Sequence, residues 1–279
     1  MALNDYKSSL NGVLHDSTYS EFNAHEWNHG KVVPLINCVA EEVPVALEYN
    51  RVSHAVMLAS PQDLKDFATG FSLTEGVIQQ PDDIHNIEIL MSDTGITIRL
   101  TIASACFREL NKRRRTLAGK TGCGLCGVES LEQLYQHPQT VTSTVHYSVG
   151  ALQKGFEELN KNQQLKQYTG ATHAAAWLNQ EGQLMLIRED VGRHNALDKL
   201  LGALARRNFD LSQGAVLITS RASYEMVQKS AVLGVGILAA ISAPTGLAIR
   251  LAETAGLTLA GFVRGHRLTV YTHPDRFNA

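Results

Sequence analysis

The feature that most constrains this chain is a change of texture after Thr169, beyond which strand-like and helix-like segments alternate to the C-terminus. "HAAAWLN" and "QLMLIRE" read as two strands paired around residues 180–182. "RHNALDKLLGALARRN" follows as an amphipathic helix and "GAVLITS" as a buried strand ending in a polar turn. "SYEMVQKSAVLGV", "GILAAISA" and "TGLAIRLAETAG" continue the alternation, and "LTLAGFV" and "LTVYTH" add two closing strands. Repeated strand–helix crossovers demand a sheet covered by helices, so this half is expected to be an α/β layer.

The first half has a different grain. "PVALEYNRVSHAVML" reads as a hairpin around Asn50 and Arg51, and "IEILMSDTGITIRLTI" as a second, turning near Asp93–Gly95. Between them "SPQDLKDFATGFSLTEGVI" keeps helical spacing at Leu64, Phe67, Ala68 and Phe71. Ser60 is the expected N-cap, with Pro61 in the first helical position and Asp63 in the first turn. The expected organisation is a loose tail over 1–30, a small α+β unit over 31–145 that ends in a mobile cysteine loop, and the α/β domain over 146–279. The fold class is α/β, or α+β when the chain is taken whole.

Bulk properties exclude several classes. The net charge is −2, so no global basic field points to nucleic acid. The N-terminus lacks the basic start and apolar core of a secretory signal. The most apolar segment, Ala231 to Ala243, is too short to span a bilayer and reads as buried core. Four cysteines do not make a disulfide scaffold, and a cytoplasmic protein with reduced thiols is expected. Cys38 and Cys106 read as buried and inert.

Cys123 and Cys126 are different. In "RRRTLAGKTGCGLCG" they stand three apart in a glycine frame behind a basic run. A structural zinc site needs four ligands, and no second cysteine pair or closely spaced histidine pair supplies the rest. A thioredoxin-like redox pair opens a helix, for which Gly122, Gly124 and Gly127 are poor residues. The third reading is a carrier thiol on a swinging loop. A cysteine sulfur can hold a sulfane sulfur as a persulfide, and a neighbouring thiol can release it by exchange. Lys112, Arg113, Arg114, Arg115 and Lys120 would favour the thiolate. The same run also fits a solvated helix face or a docking surface.

In the second half, "EDVGRHNALDKL" places Asp190, Arg193 and His194 where a strand ends and a helix begins, and "SRASYEMVQKS" does the same with Arg221. "FVRGHRLTVY" adds Arg264, His266 and Arg267 around Gly265. Ligands of open α/β sheets lie at the carboxyl ends of strands near helix N-termini, so three basic turns there suggest an anion, with phosphates the expected chemistry. His173 fits a core or supporting position as well as a ligand role. The zinc-deaminase motifs H-x-E and P-C-x-x-C are not in this half.

These motifs together carry a resemblance. "RRRTLAGKTGCGLCGVE", "THAAAW", "EDVGRHNALDKLLG", "TSRASYEMVQKSA" and "TVYTHP" occur in order, and the chain from about Glu41 onward resembles the FdhD family, accessory sulfurtransferases of formate dehydrogenase. The resemblance implies a cytidine-deaminase-like sheet without zinc, joined to a smaller N-terminal domain, in a homodimer. It implies sulfur taken from a cysteine desulfurase and passed to the molybdenum bis-guanine-dinucleotide cofactor of the formate dehydrogenase catalytic subunit. The persulfide-bearing cysteine falls on Cys123 and its partner on Cys126. The cofactor-binding turn falls on Phe262, Val263, Arg264, Gly265, His266 and Arg267, with Arg193 and Arg221 as possible helpers. No resident metal, nucleic acid or membrane is implied. The main rival is a non-catalytic chaperone that docks the cofactor; a zinc-binding regulatory module is a second.

Overall fold

The computed structural model describes residues 17–117, 140–265 and 267–278. Cys123, Cys126, Lys120 and His266 lie outside the described residues, as does the side chain of each of Arg114 and Arg115.

The second half folds around a six-stranded sheet of β8 (His173–Asn179), β9 (Leu184–Asp190), β10 (Gly214–Ile218), β11 (Ile237–Ala240), β12 (Thr258–Arg264) and β13 (Arg267–Val270). Its order is β13-β12-β11-β10-β8-β9. β10, β11 and β12 run parallel, while β8, β9 and β13 are antiparallel to their neighbours. The parallel strands are joined by crossover helices, α6 (Tyr224–Val232) and α7 (Gly246–Ala255). β10 is buried along its whole length, as a central strand covered on both faces should be. Period-2 alternation sorts its side chains: Val216 and Ile218 join the core under α5 (Arg193–Arg206), α6 and α7, while Ala215 and Leu217 face α3 (Val149–Asn162) on the other side. Val141 and Val145 are buried in these same two cores.

The first half builds a four-stranded sheet of β3 (Val43–Tyr49), β4 (Val52–Ala59), β5 (Ile84–Ser92) and β6 (Gly95–Ile102), ordered β4-β3-β6-β5. Asn50 and Arg51 both take positive φ, 47° and 67°, as a two-residue type I′ hairpin requires. One face of the sheet packs Val45, Leu47, Ile98 and Leu100 on Phe67 and Phe71 of α1 (Leu64–Thr74). α2 (Ser104–Leu117) follows, and Arg113 donates to the backbone oxygens of Glu75 and Gly76, tying α2 to the end of α1.

Two local expectations change. Tyr19–Asn28, expected in the loose tail, is strand β1, paired in register with β2 (Lys31–Ala40) from Tyr19↔Ala40 to Asn28↔Lys31. Its polar residues alternate with Phe22, Ala24 and Trp27 weakly enough to hide a strand. Ser60 does not cap α1; Asp63 takes that position with φ 54° and no side-chain bond. The backbone and hydroxyl of Ser60 serve Asp190, Val191 and Lys199 instead.

The two halves meet where α1 lies against α5. Gly70 and Gly202 face one another there, close enough that a Cβ on Gly70 would come within 2.9 Å of the Gly202 nitrogen. Around this contact three buried polar groups cross between the halves. Asp190 and Lys199, both fully buried, pair at 2.7 Å. Asp190 also accepts from Ser60 N at 3.0 Å and Asn195 Nδ2 at 3.0 Å. Lys229 Nζ reaches Asp198 at 3.0 Å, Glu75 at 2.8 Å and Thr74 at 2.9 Å. Asp66 receives Arg188 at 2.7 Å and is also paired with Arg206. Burial pushes the Asp198 carboxyl pKa up against the pull of Lys229. Burial also lowers the Lys229 ammonium, but Asp198 and Glu75 outweigh it and the net shift is upward. These residues are fixed in place by their partners, so the strand-end turns next to them start from a rigid base.

Candidate functional site: the carboxyl edge of the large sheet

Registry brings the basic turns to one edge. His173 pairs with Asp190, Ile218 with Ala175, Ile218 with Ala240 and Ala239 with Ala260. The end of β9, the start of β8 and the ends of β10, β11 and β12 therefore share one side of the sheet. Arg193, Arg221, Arg264, Gly265 and Arg267 all belong to turns on that side, together with His173 and His194. This is the edge where open α/β sheets hold ligands.

Two helices open onto this edge without side-chain caps. α5 begins after Gly192 and α6 after Ser223, and neither residue's side chain bonds the first turn. α7 differs, since Thr245 Oγ1 accepts from Ala248 N at 3.3 Å. The uncapped ends keep their amide dipoles directed at the edge, where they favour negative charge. Arg193 Nε and Ser223 Oγ are buried without a partner among the described residues. His194 Nε2 lies 2.7 Å from Glu225 Oε2, but off the line a sound hydrogen bond needs. Desolvation lowers the pKa of His194, with Glu225 opposing and Arg193 adding to the fall. His173 is lowered by burial first and then by Arg193 and Lys166. Both shifts favour the neutral imidazole, so the lasting positive charge of this corner is that of arginine.

At the other end of the edge, β12 breaks its pairing with β13 between Gly261 and Arg264. Phe262 sits in this bulge with φ 54°, a conformation costly for an aromatic residue, and the residue is 41 % exposed. Arg264 is exposed and its Nε donates to the Ile241 carbonyl at 3.3 Å. Val263 points into the core and offers the edge only its backbone. The structure thus presents one aromatic face and the exposed Arg264 and Arg267 on one tight turn.

Sequence reading found the arginines but missed Ser223 and Glu225. A serine immediately before a helix is ordinarily its cap, and nothing in the sequence shows that this one is unbonded. Asp190, placed at the same strand end, is taken up by Lys199, Ser60 and Asn195 and supports the turn. Cys38 and Cys106, expected to be buried, are only partly so. Burial and the Asp83 carboxylate raise the Cys106 thiol pKa, which disfavours its nucleophilic form. Among the described residues, no three His, Cys, Asp or Glu side chains come together to hold a metal ion. No helix there is long and apolar enough to cross a membrane.

Comparison with known proteins gives this edge its context. The FdhD/NarQ family model matches residues 40–278. The chain belongs to the FdhD/NarQ family. A relative from Cupriavidus necator, named sulfur carrier protein FdhD, is 57 % identical over 265 residues, covering 95 % of this chain and 92 % of its own. A relative of the same name from Bordetella petrii is 55 % identical over 85 % of this chain and 86 % of its own. A similar fold is seen in a crystal structure from Desulfotalea psychrophila, of a candidate formate dehydrogenase accessory protein. It superposes with a TM-score of 0.73 at 24 % identity, over 94 % of this chain and 100 % of that one. The mixed α/β architecture described above is thus shared with a solved structure.

Proposed function

We propose that this FdhD-family chain is a cytoplasmic sulfurtransferase that carries sulfane sulfur from a cysteine desulfurase to the molybdenum bis-guanine-dinucleotide cofactor of formate dehydrogenase. The observation that carries the reading is the gathering of Arg193, Arg221, Arg264, Arg267 and two uncapped helix N-termini on one sheet edge. The shared name of the curated relatives, sulfur carrier protein FdhD, supports the cargo. The six-stranded sheet is read as a cytidine-deaminase-like layer without zinc, and the working unit as a homodimer.

The chemistry balances with the two thiols of the loop. Cys123 attacks the outer sulfur of the desulfurase persulfide, the desulfurase leaves as its thiolate, and Cys123 becomes Cys–S–SH. Cys126 then attacks the inner sulfur of that persulfide. A Cys123–Cys126 disulfide forms, and its two electrons leave with the outer sulfur as hydrosulfide, in position for the cofactor. A cellular dithiol must reduce the disulfide before the next cycle.

On this reading the cofactor is the substrate of the edge. Phe262 offers its exposed face to a guanine, and Arg264 and Arg267 take the diphosphate, a planar donor fork being suited to phosphate oxygens. Arg193 and Arg221 add positive charge farther along. Gly265, with φ 51°, gives the turn its tightness, and Val263 belongs to the same turn. Titration calorimetry with GDP is expected to show binding. Arg264→Ala with Arg267→Ala removes two charge-assisted contacts at about 1.5–3 kcal/mol each, so affinity should fall at least tenfold. Both side chains are exposed, so the core is untouched. Unchanged affinity would remove the phosphate site from this turn.

A further inference from the structure

The β1–β2 ribbon has no counterpart in the function proposed above. Among the described residues it is a two-stranded hairpin that joins no other sheet. Its base is fastened, since Glu41 N donates to the Thr18 carbonyl at 2.9 Å and Tyr19 stacks on Tyr168 with centroids 5.5 Å apart. Beyond that base nearly every residue is exposed. Register places Trp27, Val32 and Ile36 on one face and Phe22, Val33, Leu35 and Val39 on the other. Trp27 is 76 % exposed and Ile36 66 %. An isolated hairpin is marginal in water, and one that is apolar on both faces has no side suited to solvent.

We propose that this ribbon is a dimerisation arm, which lies across a second copy of the chain; the inference names the surface of the homodimer proposed above. The area supports this occupant. The seven exposed apolar side chains of one arm amount to roughly 600 Å². Two reciprocal arms, with the surfaces they cover, exceed the ~1,200 Å² at which specific association begins.

The chain also carries a matching receiver. The outer face of the four-stranded sheet, opposite α1, holds Val56 beside Ala46 and Leu58 beside Pro44, with Leu90 farther across beside Thr97. Val56 is 64 % exposed and Leu58 53 %, so the described residues leave both largely open. The alignment with the Cupriavidus relative takes in 265 of this chain's residues, and so reaches into the arm that the family model leaves out.

Sedimentation equilibrium of the full chain tests the proposal. The wild type is expected at twice its 30.5 kDa chain mass. Trp27→Ser with Ile36→Ser should raise the dimer dissociation constant at least a hundredfold, and Val56→Ser with Leu58→Ser should do the same from the receiving side. None of these four side chains belongs to a buried core, so thermal unfolding should show the fold intact. A wild-type chain at single mass, or arm variants that dimerise as tightly as wild type, would overturn the assignment. Loss with the arm variant alone would overturn the receiving face. The readout is mass, so a failure of sulfur transfer does not affect it.

Discussion

Gly202→Val is expected to prevent accumulation of the folded protein, and Gly70→Ala to destabilise it severely. The two glycines let α1 and α5 approach backbone to backbone. A Cβ at Gly202 would overlap the Asp66 carbonyl and lie 2.5 Å from the Gly70 nitrogen, and one at Gly70 would overlap the Asp198 carbonyl. None of these atoms ends a flexible side chain, so relief requires the helices to separate. Overpacking a core costs typically about 1–3 kcal/mol where side chains can yield. Here the backbone must move, and the bonds that cross the same contact, Ser60 to Asp190 and Lys199, Glu75 to Lys229 and Asp66 to Arg188, lose alignment with it. Chemical denaturation should place Gly70→Ala at least ~3 kcal/mol below wild type. A loss under 1 kcal/mol would show that the helices do not meet as described.

Lys199→Met is the second large effect. Lys199 and Asp190 are both at 0 % side-chain exposure, 2.7 Å apart. Burial lowers the pKa of Lys199, and Asp190 is the main influence holding its ammonium charged. Removing the lysine strands a carboxylate in the interior, which costs about 3–5 kcal/mol. It also takes a partner from the Ser60 carbonyl at 3.0 Å. Adding Asp190→Asn should recover much of the loss, because no charge is left buried and the amide oxygen can still accept from Gly192 N and Asn195 Nδ2, which meet the same oxygen of Asp190. Equilibrium unfolding of the two single variants and the double variant measures this coupling. A neutral Lys199→Met would mean that the pair is not buried as charged groups. Either variant would also loosen the β9–α5 turn, which carries Arg193 and His194.

How much of this was legible beforehand depended on whether the cause was local. Strand–helix alternation after Thr169 is a local signal, and the six-stranded sheet follows it almost element by element. The Asn50–Arg51 hairpin was legible because a short polar break between strand-like runs marks a turn. The arginine-bearing turns were legible because the ends of parallel strands must share an edge. The helix–helix contact was not: Gly70 and Gly202 look like weak points in two amphipathic helices, and nothing in either stretch names the other as its partner. The charge pairs were hidden for the same reason, since Ser60 and Asp190 stand 130 residues apart. Ser60 read as a cap because its local spacing is that of one. The β1 strand of the arm falls in the stretch expected as tail, because an exposed ribbon with apolar side chains on both faces lacks the alternation that marks a half-buried strand.

The most direct test of the central claim is the mass of the intact protein after incubation with a cysteine desulfurase and cysteine. One added sulfur, removable by a thiol reductant, is expected on the wild type and absent from Cys123→Ala. In Cys126→Ala it should persist longer, since the attacking thiol is gone. An adduct unchanged in Cys123→Ala, or no adduct on a wild type that still binds GDP, would contradict the account, the latter leaving a cofactor chaperone in its place.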